Sequence, residues 1–226
     1  VMVVTSLILL LGLKYLYPWA DHQRVEESAL LQTKTSYLNT TFLVIRLLVF
    51  GLGMVAFRQI LVGNSLKQDK TGDENLTHKN VGYSIGFILF FAITFSLFSV
   101  DMLMSLLPTW YSTIFGIYCF SGMFQSFFAI IIPIAIFMRR SGMVKGYVTD
   151  EHLHDLGKYM KGFTVFWAYI AFSQFMLIWY ANIPEETEYY IMRAQNGWMG
   201  ISMALLIFRF IVRFLALLPR AAKRNE

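Results

Sequence analysis

Histidines and carboxylates stand where apolar runs of this sequence begin or end, as a proton path across a membrane would require. The string HLHD (152–155) precedes one such run, and the string IPEET (183–187) follows it. Histidine titrates near neutral pH and carboxylates carry protons, so the two strings are candidate mouths of a polar path. The alternative for HLHD is a solvated helix start, with Asp155 paired to Lys158. The alternative for Glu185 and Glu186 is that they are solvent-exposed carboxylates in a loop.

Charged residues inside or against the apolar runs are the second group of candidates. Arg46 lies about two turns inside one run, and Asp101 closes another. Charge in hydrocarbon is costly, so such residues are expected to face the protein interior and to pair. Asp101 is therefore either a helix-boundary residue or a carboxylate that carries protons. The candidate proton path comprises Arg46, Asp101, His152, His154, Asp155, Lys158, Glu185 and Glu186.

The same residue types predict that this chain holds no catalytic, cofactor or metal site of its own. The single cysteine, Cys119, excludes an intramolecular disulfide, a cysteine-ligated cluster and a C-x-x-C-H haem attachment. All four histidines lie outside the apolar runs, which makes a bis-histidine haem improbable. His152 and His154 are two residues apart and would point to different faces of a helix, against a two-histidine metal site.

Six apolar runs must position these residues. Only 15% of the residues are charged, against about 25% in a typical soluble domain. Each run is long enough to cross a bilayer, and strict alternation of apolar and polar residues is absent. We therefore predict an all-α integral membrane protein forming one transmembrane domain over 1–226, a fragment of a longer subunit. The predicted spans are about 1–17, 40–62, 81–100, 112–138, 161–182 and 197–218.

Lysine and arginine are distributed unequally between the two sides of these spans. Three lie in the first, third and fifth connections, and eleven in the second, the fourth and the C-terminal tail. Because basic loops stay in the cytoplasm, the predicted cytoplasmic segments are 64–80, 139–160 and 219–226. The segments 64–80 and 183–196 are predicted to be aqueous loops, the latter on the opposite side. The predicted location is the bacterial inner membrane, crossed several times.

Three strings resemble a known family. They are SYLNTTFLVIR (36–46), SVDMLMSLLPTWYSTIFGIYCFSG (99–122) and HLHDLGKYMKGFTVFWAYIAFSQFMLIWYANIPEET (152–187). They are similar to the ActF family of membrane subunits of bacterial alternative complex III, which itself resembles the NrfD/polysulfide-reductase membrane subunits. Met102, Arg209 and Arg213 depart from the family pattern, which has Trp at the first position and a helix-breaking Pro in the last span.

The resemblance implies a central part of a fold with two four-helix bundles. It also implies a role in a respiratory quinol:cytochrome c oxidoreductase. The expected partners are the NrfD-like subunit ActC, an iron–sulfur subunit, multi-haem cytochrome c subunits, membrane lipids and a terminal oxidase. Haem c and iron–sulfur clusters would be in those subunits. Within this pattern Asp101, His154, Asp155, Glu185 and Glu186 occupy family positions.

Three functions remain open from the sequence. The first is a cofactor-free subunit that supports assembly of the complex and takes part in proton translocation. The second is a subunit that itself binds quinone or quinol. The third is an unrelated secondary transporter, which would require paired broken helices, whereas only Pro133 interrupts a span.

Overall fold

A computed structural model describes residues 11–144 and 146–219, and within these ranges the chain forms helices and turns without a β-strand. Five stretches are long and apolar enough to cross a membrane: Thr40–Thr71, Asn75–Leu106, Phe115–Arg140, Asp150–Ala181 and Trp198–Ala216. The chain is a multi-pass, all-α membrane protein, which confirms the predicted fold class. The first predicted span, 1–17, lies largely outside the described residues.

The helices of the described ranges are α1 (Leu13–Leu16), α2 (His22–Glu27), α3 (Ala29–Lys34), α4 (Thr40–Thr71), α5 (Asn75–Met102), α6 (Phe115–Arg140), α7 (Asp150–Ala181), α8 (Pro184–Ala194), α9 (Trp198–Leu206) and α10 (Val212–Ala216). Short 3₁₀ turns occupy Pro18–Ala20 and Met104–Leu106, and a π-helical segment, Ile207–Ile211, joins α9 to α10. The chain divides into two compact units, Val1–Tyr111 and Ser112–Glu226.

In the first unit, α4 and α5 form a hairpin whose connection is much shorter than predicted. The segment 64–80 is helical apart from a tight turn at 72–74, so its assignment as a loop was wrong. Gly72 makes the turn with φ +68°, a left-handed conformation that glycine adopts without steric cost, and its N–H donates to Gln68 O at 2.8 Å. Polar residues continue a helix beyond the apolar span, because hydropathy marks the bilayer and not the helix end.

The short helices and turns of residues 13–38 pack over the start of α4 and the end of α5. Tyr17 and Trp19 are buried, with ring centroids 5.3 Å apart, in one apolar cluster with Leu43 and Met102. The helix α4 starts at its N-cap residue Asn39, whose side-chain oxygen accepts from the N–H of Phe42 at 2.8 Å. This cap and this cluster set where the first turns of α4 lie against the end of α5.

In the second unit, α6 and α7 pack through aromatic rings. Phe124 and Phe163 have centroids 4.9 Å apart, and Phe128 stacks on Tyr159 at 5.7 Å. The helix start that the sequence offered for the HLHD string is confirmed, because α7 begins at Asp150 with Thr149 as its N-cap residue. Arg139 Nη1 binds Asp150 Oδ1 at 2.6 Å and joins the end of α6 to the start of α7.

The segment after α7 folds as a helix and not as the predicted loop. Pro184 is the first residue of α8, where its missing N–H costs nothing, and Glu185 and Glu186 in the first turn suit the positive end of the helix dipole. The chain then enters α9, the π segment and α10, in which no residue is buried.

Candidate functional site

The first candidate site is a buried ion pair between two spans of the first unit. Arg46 Nε binds Asp101 Oδ2 at 2.8 Å, and Arg46 Nη2 binds Asp101 Oδ1 at 3.0 Å. The carboxylate side chain is 0% exposed and the guanidinium side chain 7% exposed. Two parallel N–H···O bonds are the strongest and most directional form of this interaction. The pair therefore fixes the register of α4 against α5.

Two aromatic rings and a carbonyl complete the surroundings of the guanidinium. The Arg46 Cζ atom lies 4.1 Å from the ring centroid of Tyr37 and 4.3 Å from that of Phe42. Arg46 Nη1 also donates to Tyr37 O at 3.2 Å. Burial, and then the negative charge of Asp101, raise the pKa of Tyr37 to about 12. The positive charge is thus held by an anion, two π-faces and a carbonyl.

Further hydrogen bonds hold the end of α5 around the carboxylate. Ser105 Oγ donates to Asp101 O at 2.5 Å, and Tyr17 Oη donates to Met102 O at 3.0 Å. Burial and the charge of Asp101 raise the pKa of Tyr17. These contacts come from the 3₁₀ turn and from the N-terminal segment, so three parts of the unit meet here.

The second candidate site is a polar cluster between three spans of the second unit. Gln125 Nε2 donates to Thr164 Oγ1 at 3.0 Å and to Arg209 O at 2.7 Å. Arg209 Nε donates to Gln125 Oε1 at 2.7 Å, and Arg209 Nη2 donates to Gly122 O at 2.6 Å. Gln125 and Thr164 are both 0% exposed. The amide therefore connects α6, α7 and the π segment.

The π segment explains how a backbone carbonyl takes part in this cluster. Arg209 is the middle residue of Ile207–Ile211. A π turn widens the helix and disturbs its regular hydrogen bonds, and such turns recur at functional sites. Gly122 permits the close approach, because a Cβ there would lie 2.7 Å from Arg209 Nη2. An intramembrane arginine is thus accommodated by neutral acceptors and by the ring of Trp167, 5.2 Å from its Cζ.

The predicted inner mouth of the proton path lies at the start of α7. The N–H of Thr149 donates to His152 Nδ1 at 3.1 Å, so this imidazole caps the helix. Asp155 and Lys158 form the predicted pair at 2.6 Å, with side chains 54% and 58% exposed. His154 Nδ1 is buried and lacks a hydrogen-bond partner in the described ranges. His154 therefore differs from the rest of this string, because one of its ring nitrogens is buried and not solvated.

The predicted outer mouth lies at the start of α8, where Glu185 is exposed and Glu186 half-buried. Next to these acids, burial raises the pKa of Tyr190 to about 12 and also raises that of Tyr189. The structure brings Arg46 to Asp101 and Asp155 to Lys158. It assigns His152 to a cap and the two glutamates to the first turn of a helix.

Sequence reasoning left the cluster around Arg209 unassigned. From the sequence, Arg209 is only a departure from a family pattern, whereas the structure bonds its guanidinium and its carbonyl to Gln125. The available signal was a set of polar residues, Gln125, Thr164 and Arg209, each well inside an apolar run. No group of three or more His, Cys, Asp or Glu side chains within the described ranges is arranged to hold a metal ion.

No protein-family model matches this chain, and no curated protein is significantly similar to it. The resemblance drawn from the three strings therefore stays a prediction, and the geometry of the two sites must support any functional proposal.

Proposed function

We propose that this chain is a membrane subunit, without a redox centre of its own, of a respiratory quinol:electron-acceptor oxidoreductase of the alternative complex III type. The observation that carries the proposal is the pair Arg46–Asp101. Arg46 ends the first of the resembling strings, 36–46, and Asp101 lies in the second, 99–122. Two segments that resemble the same family separately are thus joined by a bidentate contact between fully or almost fully buried side chains.

The structural part of the proposed role is to support assembly in the bacterial inner membrane. The faces of α9 and α10 are uncovered within the described ranges, since neither helix has a buried residue. Partner subunits, an NrfD-like ActC among them, and lipid would cover such faces. Haem c and iron–sulfur clusters would be carried by the partners, and quinol would be oxidised within the assembled complex.

Proton translocation is the second part of the proposed role. The 32 residues of α7 cover about 48 Å, enough to reach both interfaces of a bilayer. His154 and Asp155 lie near its first turn, and Glu185 and Glu186 follow its last. Between them, Thr164 is hydrogen-bonded to Gln125 in the buried polar cluster. This pair supplies polar side chains in the middle of the span. Asp101 is the candidate carboxylate at membrane depth in the first unit.

The test starts from the protein carrying this chain, affinity-tagged and purified in mild detergent from its own membrane. We expect subunits with a c-type haem spectrum and iron–sulfur clusters to co-purify with it. A preparation that lacks such subunits under conditions that keep membrane complexes intact would refute the proposed assignment and leave a transporter as the better reading.

The proton role is tested separately, by Asp101→Asn and Asp155→Asn in the assembled complex, with proton translocation and quinol oxidation measured independently. Asp69→Asn, an exposed acid on the polar extension of α4, is the matched control. Loss of translocation with normal assembly, in either variant but not in the control, is the expected result. If both variants assemble, pump and oxidise quinol at wild-type rates, the subunit is a scaffold.

A further inference from the structure

A groove in the second unit has one polar end and one apolar wall. Its volume is about 370 Å³, within the range of small-ligand sites. Three residues with hydrogen-bonding side chains form the polar end, namely Ser126, Arg209 and Arg213. The remaining lining residues are apolar, namely Ile201, Ala204, Leu205 and Phe208. The groove therefore suits a molecule with a polar head and a hydrocarbon tail.

The polar end carries positive charge that the described residues leave unbalanced. Arg209 uses its donors on neutral acceptors, Gly122 O, Gln125 Oε1 and, at 3.4 Å, Ser126 Oγ. Arg213 Nη1 is buried and has no hydrogen-bond partner within the described ranges. Neither arginine forms an ion pair with a described carboxylate. Both arginines are half-buried, and cationic groups at membrane depth without an anion are costly, so the groove suits a negatively charged ligand.

A third cation lies on the neighbouring helix, against the residue that follows Arg213 and outside the groove lining. Lys161 Nζ of α7 lies 5.6 Å from the ring centroid of Phe214, the residue after Arg213. Phosphate and carboxylate are the anions that arginine forks bind in bidentate fashion, and phosphate attracts the larger number of cations. The two arginines that line the groove can both donate to one phosphate, which offers more acceptor oxygens than a single carboxylate.

The order of groups along the groove matches the order of groups in a phospholipid. Arg213 lies three residues before Ala216, the last residue of α10, which is about 5 Å along a helix, whereas Arg209 lies about 10 Å from that end. The apolar wall at Ile201 and Leu205 lies further into the span. The sequence beyond α10 is basic, which predicts a cytoplasmic end. A phosphate at this depth belongs to the inner leaflet.

We propose that this groove binds an anionic phospholipid of the inner leaflet. Arg213 and Arg209 hold its phosphate, and an acyl chain lies along Ile201 and Leu205. The buried, unpartnered Nη1 of Arg213 is the donor that the phosphate satisfies. The inference stands independently of the proposed respiratory role, because it rests only on contacts within the second unit.

The experiment uses the purified protein exchanged into nanodiscs of phosphatidylcholine that contain a minor fraction of phosphatidylglycerol with the same acyl chains. Native mass spectrometry counts the phosphatidylglycerol molecules that stay bound. In Arg213→Gln we expect affinity for phosphatidylglycerol to fall about ten- to a hundredfold, the range for a lost charged hydrogen bond. Arg58→Gln, an exposed arginine in α4, is the control and is expected to change retention less than about twofold.

Two further variants separate charge from shape. Arg213→Lys keeps the positive charge and is expected to retain most of the lipid. Ala204→Leu narrows the apolar wall while it keeps both arginines, and is expected to weaken retention of phosphatidylglycerol. Unchanged retention in both Arg213→Gln and Ala204→Leu, with the melting temperature of each variant unaltered, would overturn the proposal.

A competition arm distinguishes the sources of the anion. Inorganic phosphate is expected to leave the bound phosphatidylglycerol in place, because it gains nothing from the apolar wall. Displacement by inorganic phosphate alone would overturn the lipid assignment in favour of a free anion. A polypeptide that crosslinks to position 213, and whose removal is required before any lipid binds, would overturn it in favour of an acidic helix.

Discussion

The pair Arg46–Asp101 allows a quantitative test of what holds α4 against α5. Arg46→Met keeps much of the side-chain volume but leaves the Asp101 carboxylate, 0% exposed, without its counter-ion. Removing one partner of a buried ion pair costs about 3–5 kcal/mol. Asp101→Leu leaves a guanidinium that keeps the carbonyl of Tyr37 and two ring faces, so we expect the lower part of that range.

The double variant, Arg46→Met with Asp101→Leu, is the informative one. It removes both charges, so no buried ion is left unpaired, and apolar replacements of a buried pair are often neutral or stabilising. We expect it to be more stable than Arg46→Met alone. A loss of about 1 kcal/mol, against single losses of about 4 and 3, would give a coupling energy of about 6 kcal/mol between the two sites.

The assay is reversible unfolding of the detergent-solubilised protein by a titrated denaturing detergent, followed by tryptophan fluorescence. The control Arg58→Met, on an exposed side chain of the same helix, is expected to stay within about 0.5 kcal/mol of wild type. If the double variant loses the sum of the two single losses, within about 0.5 kcal/mol, the pair is not coupled and the register argument is refuted. A double variant that folds but does not translocate protons would in addition show that Asp101 has a role in proton transfer beyond holding α4 against α5.

Two further predictions concern the first unit. A Cβ at Gly53 would overlap the ring of Phe90, so Gly53→Ala is expected to lower the free energy of unfolding by about 1–3 kcal/mol in the same assay. A Cβ at Gly51 meets nothing within 4 Å, so Gly51→Ala is expected to be neutral or stabilising by up to about 1 kcal/mol. Equal effects of the two changes would contradict the packing described for α4 and α5. The pKa of Tyr37 is about 12 in the folded protein and about 10 in the unfolded chain, so folding favours the neutral phenol. Stability is therefore expected to hold below about pH 10 and to fall as the pH rises towards 12. Tyr37→Phe is expected to remove that share of the alkaline loss when unfolding midpoints are compared across this pH window, and Tyr147→Phe, on an 84% exposed ring, is the control that should not.

Local patterns in the sequence predicted several features that the structure confirms. The helix start at the HLHD string and the pairing of Asp155 with Lys158 depend on residues within a few positions of each other. The expectation that charges inside the apolar runs turn inward and pair holds for Arg46 and Asp101. The first two predictions succeeded because capping and i,i+3 pairing act within one or two turns of helix. The third succeeded because an unpaired charge in hydrocarbon is costly wherever its partner lies in the chain.

Two other predictions were wrong because hydropathy indicates which residues lie in the membrane and does not indicate where a helix ends. The segment 64–80 is polar, so it was assigned to a loop, but helix formation continues through it on the aqueous side up to the turn at Gly72. The acidic segment after α7 was likewise assigned to a loop, although Pro184 and the acids behind it are favourable at a helix start. A break in hydropathy locates the membrane surface and leaves the helix boundary open.

The sequence by itself determined that this is a multi-pass helical membrane protein and which residues stand at membrane depth, because both follow from the local cost of polar groups in hydrocarbon. Only the tertiary structure decided the partners. Asp101 is 55 residues from Arg46, and Arg209 is 84 residues from Gln125. Such contacts depend on the turn that closes the hairpin, the rotation of each helix and a π turn. None of these leaves a periodic signal in the chain.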